Sequence, residues 1–174
     1  MSMKDTLTRF AQGIVDGSSR LALINILSAI FDRATSKQLN SAALVIKGAA
    51  NTLVKTGATA CHAIAGGALR SIAAATDMAA LSGTVTNAKF NVYVFLIDSA
   101  GTLTSSMGTE GATLAAVLFP DIPQGKAVIG FTIINPTGTG NFVGGTTQID
   151  DATVVPNAVH VSVVGAFDPS IKVS

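Results

Sequence analysis

Cysteine occurs once, at Cys61, which excludes an intrachain disulfide and a cysteine-based zinc site. Tryptophan is absent, and aromatic residues make up only 5% of the chain. Charge is scarce too: charged residues account for 12% and the formal net charge is +1. A polyanion would need a local basic cluster to hold it, and none stands out, so the expectation is no nucleic-acid partner. Long hydrophobic runs are missing as well. The longest, residues 21–31, is broken by Asn25 and Ser28 and falls far short of the ~20 residues that cross a bilayer. It starts after residue 20 and no Ala-x-Ala site directly follows it, so it does not read as a secretory signal, and no membrane association is expected. Asn135-Pro136-Thr137 is disqualified as a glycosylation sequon by its proline. A cytoplasmic protein, held there until assembly, is the expectation.

What is present is aliphatic. The 174 residues are 48% hydrophobic with a mean hydropathy of +0.53, carried by Ala, Val, Ile and Leu. Burial is worth roughly 25 cal/mol per Å² of apolar surface, so an alanine-rich monomer gains less per residue than one rich in Leu and Phe. Partner subunits can supply the missing burial, and few charges leave surface free for an interface. The expected state is a homo-oligomer, with closed cyclic symmetry bringing like patches together, most simply as a trimer.

The N-terminal region has helical periodicity. Leu7, Phe10, Ala11 and Ile14 recur at the i, i+3, i+4, i+7 spacing of an amphipathic helix that Gly17 should end. Ser18 or Ser19 then caps a second helix with a stripe of Leu23, Ile26, Leu27 and Ile30, widened by Ile24 and Phe31. Two helices in fewer than 40 residues have no core of their own, so the stripe must pack on something else. Residues 1–39 are therefore expected to be a helical arm, with Leu7, Phe10, Ile14, Leu23, Leu27 and Ile30 as its assembly contacts. Lys4, Arg9, Arg20, Arg33 and Lys37 against Asp5, Asp16 and Asp32 give the arm a net charge of +2, suited to an acidic surface or simply to solvation.

From residue 40 the texture turns to short β-prone runs separated by Gly, Asn, Thr and Pro. Residues 59–65 and 68–74 flank Gly66-Gly67, a pair that supplies positive φ for a tight hairpin; helix is the alternative for the alanine-rich flank. Residues 91–97 are apolar on both faces and predict a strand covered on both sides. Residues 126–134 form a second such run, with Gly130 where another backbone or a bulky ring approaches, and 159–164 a third. All three are expected to be inner strands. Turn signals at this spacing, without a fixed repeat, predict a mainly β fold: an antiparallel, jelly-roll-like β-sandwich body over residues 40–174, ending in a short tail.

Candidate chemistry is thin. Residues 138–147 are dense in glycine but lack the Gly-Lys-Ser/Thr of a phosphate loop, and no helix follows as a dinucleotide site requires, so they read as turns. Cys61 and His62 invite a thiolate pair, yet neighbours on a strand point to opposite faces. His160 is the other histidine, and no nucleophile elbow accompanies it. Asp98, Glu110, Asp121, Asp150 and Asp151 could offer oxygens to calcium, but acidic residues in Gly/Thr loops more often make Asx turns. The expectation is no enzyme, no metal and no cofactor.

Three stretches carry a resemblance. They are Thr76-Asp77-Met78-Ala79-Ala80-Leu81-Ser82-Gly83-Thr84-Val85, then Phe90-Asn91-Val92-Tyr93-Val94-Phe95-Leu96-Ile97-Asp98, and Ala127-Val128-Ile129-Gly130-Phe131-Thr132-Ile133-Ile134-Asn135-Pro136. Their texture resembles virion proteins of tailed bacteriophages, of the capsid decoration or head-fibre type, over roughly residues 50–168. The resemblance implies a compact β body, trimeric assembly, attachment by a terminal arm, the major capsid protein among its partners, and residence in the virion after assembly in the host cytoplasm. It carries no catalytic motif, so the implication is architectural. The competing class is a receptor- or glycan-binding β module of a tail or fibre. That reading asks for exposed aromatics, which a chain with no Trp and one Tyr supplies poorly.

Overall fold

The computed structural model describes residues 17–167. It is mainly β, with antiparallel pairing in every sheet. One helix, α1 (Gly17–Thr35), precedes β1 (Lys37–Gln38), so the chain enters the sheets just before the arm–body boundary expected at residue 39. Gly17, expected to end one helix, and Ser18 and Ser19, expected to cap the next, are already helical residues of α1. Leu7, Phe10 and Ile14 lie outside the described residues.

The strands that organise the body are those whose sequence is apolar throughout. β7 (Asn91–Ile97) is buried at every position and sits inside a four-stranded sheet, ordered β11 (Val159–Ser162), β9 (Ala127–Ile134), β7, β8 (Leu103–Met107). Side chains alternate across a strand, so Tyr93, Phe95 and Ile97 enter one core while Val92, Val94 and Leu96 enter another on the opposite face. β9 pairs with β7 through a bulge: Phe95 faces Gly130 and Leu96 faces Val128, leaving Ile129 as the extra residue. Gly130 is needed there. A Cβ would strike the Val161 carbonyl of β11 and come within 2.6 Å of a Leu44 methyl carbon.

The first core is shared with a three-stranded sheet, β1–β4–β5, in which β4 is Cys61–Ala65 and β5 is Ala68–Ile72. Cys61, Ala63 and Ala65 point inward while His62 is exposed, the alternation of a half-buried strand. β4 and β5 form the hairpin predicted from Gly66-Gly67; both glycines have positive φ, 54° and 77°. The alanine-rich flank is strand, because Ala63 and Ala65 are used to let the sheets approach. Two short ribbons close the ends, β2 (Val45–Ile46) with β3 (Val54–Lys55), and β6 (Thr84–Val85) with β10 (Phe142–Val143).

The second core is smaller. Residues of the segment after β8 (Val117, Phe119, Ile122) and of the segment after β11 (Val163, Phe167) cover Val92, Val94, Leu96 and Val128. Phe119 meets Phe131 edge-on at 5.2 Å and Phe167 at 5.3 Å. Two expectations are corrected here. β11 is an edge strand, partly exposed, and not an inner strand like β7 and β9. Phe131, on the thinly covered face, is only half-buried, whereas Phe95 is fully buried.

Candidate assembly surface

α1 is built from good helix formers, Leu21, Ala22, Leu23, Leu27, Ala29 and Ala34, with no proline and no glycine after Gly17. Its apolar residues do not fold back on the body. Leu21, Ile24, Ile26, Leu27, Ile30 and Phe31 are each 54–70% exposed, and Leu23 is half-exposed. Soluble chains rarely leave a contiguous apolar patch of this kind in water. Of the six expected contacts, then, Leu23, Leu27 and Ile30 are placed together on one outward surface, joined by Ile24, Ile26 and Phe31.

Polar bonds, not apolar packing, tie the helix to the body. The Asp32 carboxylate accepts the Gly125 N–H at 2.7 Å through one oxygen and the Ser36 hydroxyl at 2.9 Å through the other. The Ser36 hydroxyl oxygen in turn accepts the Gly66 N–H at 3.2 Å. Thr35 closes the last turn by donating its hydroxyl to the Phe31 carbonyl at 2.8 Å. A carboxylate near a helix C-terminus opposes the helix dipole. Here it is retained because it links two body turns to the arm. Between the last turns of α1 and the Gly66-Gly67 and Gln124-Gly125 turns runs an open, mostly apolar groove of about 940 Å³, lined by Leu27, Ile30, Phe31 and Ala34.

The other candidates do not converge on a reaction centre. Cys61 is buried, which pushes its thiol pKa up, and His62 lies on the opposite, exposed face, bonded to Asn40. His160 sits across β9 from the buried Thr132, their Nδ1 and Oγ1 atoms 2.8 Å apart. Burial lowers the His160 pKa, favouring the neutral ring. A cleft of about 260 Å³ beside it is lined chiefly by Ile46, Ile149, Val155 and Pro156. The Tyr93 phenol, buried against Phe142, is pushed up to about 12 by desolvation and has no hydrogen-bond partner.

The acidic residues are used separately, in local turns or in bonds between distant segments. Asp98 accepts the Ala100 and Thr102 N–H groups, Asp151 those of Thr153 and Val154, and Asp150 that of Ala50. Glu110 takes both the N–H and the hydroxyl of Thr86. These bonds favour the ionised form and hold the pKa values of Asp98 and Glu110 below the ordinary range. Among the described residues no three His, Cys, Asp or Glu side chains gather to hold a metal ion. Residues 138–147 are turns around β10, where a Cβ on Gly138 would strike the Thr153 carbonyl.

Comparisons with protein-family models, with curated proteins and with solved structures return no match. Among the described residues no helix is long and apolar enough to cross a membrane. The Asp32 clamp escaped the sequence reading, which saw Asp32 only as part of the arm's charge. A lone acidic residue in the last turn of a helix, against the dipole, was the signal that could have found it.

Proposed function

We propose that this chain is a non-enzymatic structural subunit of a virion, decorating or stabilising a capsid through its helical arm. The observation that carries the reading is the outward apolar surface of α1, where Ile24, Ile26, Leu27, Ile30 and Phe31 are exposed together while the body keeps its own cores closed without them. Such a surface is stable in water only at a cost, and assembly removes that cost.

In this reading the body is a jelly-roll-like sandwich, with β1–β4–β5 and β11–β9–β7–β8 as its two layers around the larger core. Its polar side chains close turns, as Asp98 and Asp151 do, or tie distant segments, as Glu110 does to Thr86, which suits a rigid spacer. Residues 1–39 are the attachment arm, a homotrimer is the unit of assembly, and the major capsid protein is the surface it joins. The resemblance of the β body to decoration and head-fibre proteins supports the same assignment.

The test is direct. Purified full-length protein is added to particles that lack it, and bound protein is counted after sedimentation. Stoichiometric binding is expected, with loss on Leu27→Glu. Particles that take up the Leu27→Glu protein as well as the unaltered chain would refute attachment through α1.

A further inference from the structure

α1 can be projected at 100° per residue, the turn of an α-helix. Ile26, Ile30, Leu23, Ala34, Leu27, Phe31 and Ile24 then fall in one arc of about 160°, which also holds Arg20, while Asn25, Ser28 and Asp32 share the opposite side with Leu21. Within the arc Leu23, Leu27, Ile30 and Ala34 are spaced four, three and four residues apart, the d, a, d, a order of a heptad seam. Asn25 and Asp32 take the outermost f positions. The preceding a position is Arg20, where the seam ends.

We infer that this arc packs against the α1 helices of two further copies of the chain, in a parallel, in-register three-helix bundle that carries the three β bodies on its outside. The inference rests on α1 being the assembly surface and narrows that reading: the apolar arc joins copies of the chain, and the assembled arm is what meets the capsid. Strand number follows from the residue types. Leu at a with Ile at d, here Leu27 and Ile30, shifts coiled coils from two strands toward three or more. Of the e and g positions beside them, Ile24, Phe31 and Ile26 are apolar where a two-stranded coil carries charges, and Arg33 alone is charged. An arc this wide exceeds what one neighbour covers. Two neighbours bury both of its sides.

The exposed side chains of the arc amount to on the order of 600 Å², near the ~800 Å² that each partner of a stable complex buries. From Leu23 to Phe31 the helix bears no charged residue, so identical arcs meet without repulsion and a charged partner has nothing to pair with. Asp32, opposite the seam, is the residue that grips the Gly125 turn of the body. The body meets only the last turns of the helix, where its Gly66-Gly67 and Gln124-Gly125 turns lie across an open groove from Leu27, Ile30, Phe31 and Ala34, and Leu23, Ile24 and Ile26 stand clear of it. An added Cβ at Gly67 or Gly125 would meet nothing within 4 Å, so the groove beside Phe31 is open at these turns.

The experiment uses the full chain free of particles. Sedimentation equilibrium at about 10 μM should give three times the chain mass, and Leu27→Glu should return it to one, with the β circular-dichroism signal retained. Register is read by cysteine cross-linking, since the native Cys61 is buried. Oxidised Ile30→Cys protein should give a self-linked pair from each trimer, because identical d residues meet at the axis of a parallel bundle; Asn25→Cys, at an f position, should not. A single-chain mass at about 100 μM overturns the inference, as does association without an Ile30→Cys link, or α1 binding to phosphatidylcholine vesicles in preference to itself. A monomer that still joins particles removes the bundle but leaves the virion reading standing. A trimer that never joins particles does the reverse.

Discussion

Asp32 and Gly125, 93 residues apart in sequence, are joined by a 2.7 Å hydrogen bond from the Gly125 N–H to the Asp32 carboxylate. That bond and its neighbour to Ser36 determine the angle at which the apolar helix leaves the body. Asp32→Ala should cost the protein about 1–2 kcal/mol, the range for a hydrogen bond to a charged group in a half-buried place. The loss should be local: amide exchange at Ser36, Gly66 and Gly125 should quicken while β7 and β9 amides keep their protection. Uniform loss of protection across the sheets would show that the clamp belongs to the global folding unit.

Phe95 and Phe131 separate the two cores. Phe95 is fully buried in the larger one, so Phe95→Ala should cost about 3–5 kcal/mol in urea unfolding. Phe131 is half-buried between Phe119 and Phe167, and Phe131→Ala should cost roughly half as much. Equal costs would contradict the difference in covering.

Gly130→Ala should be more damaging than its single added carbon suggests, by about 3 kcal/mol or more, because the new methyl would strike the Val161 carbonyl and the Leu44 side chain. The strain falls on the pairing of β11 with β9. Amides of β11 should therefore lose protection first, and a variant with unchanged exchange there would refute the close approach.

His160 gives a pH dependence whose direction follows from its burial. Its folded pKa lies below the ordinary value of 6.5, so between the two the unfolded chain binds the extra proton and stability falls as pH falls. The contribution is complete above about pH 6.5 and declines below it. His160→Gln should flatten the stability profile below about pH 6.5 relative to the unaltered chain. Asp98 and Glu110, whose pKa values are lowered, act in a more acidic window and should leave that comparison unaffected.

Four alanines, Ala43, Ala50, Ala75 and Ala88, have positive φ, between 46° and 62°. Glycine reaches this region without a Cβ clash, at the cost of a more flexible unfolded chain. Ala88→Gly should therefore be neutral to stabilising by up to about 1 kcal/mol, measured by thermal unfolding. A clear destabilisation would mean that the Ala88 methyl makes packing contacts worth more than the strain.

The sequence by itself determined the elements whose signal is local. Runs that are apolar on both faces specified β7 and β9, Gly66-Gly67 specified the β4–β5 hairpin, and the i, i+3, i+4 spacing specified the stripe of α1. Each depends on residues within a turn or a strand of one another, so the physics is complete over a short window. Tertiary structure decided which strand took the edge, since residues 159–164 and 126–134 are both β-prone runs rich in β-branched residues and differ in how many neighbours pair with them. It also decided that Gly17 lies within α1 and that Phe131 faces a thin cover. The acidic residues show the same division: their turn-closing role followed from residue type, but the bonds from Asp150 to Ala50 and from Asp32 to Gly125 join distant segments. Such pairings are selected by the register of whole sheets, in which every strand competes for the same backbone partners, and no short stretch of sequence contains that competition.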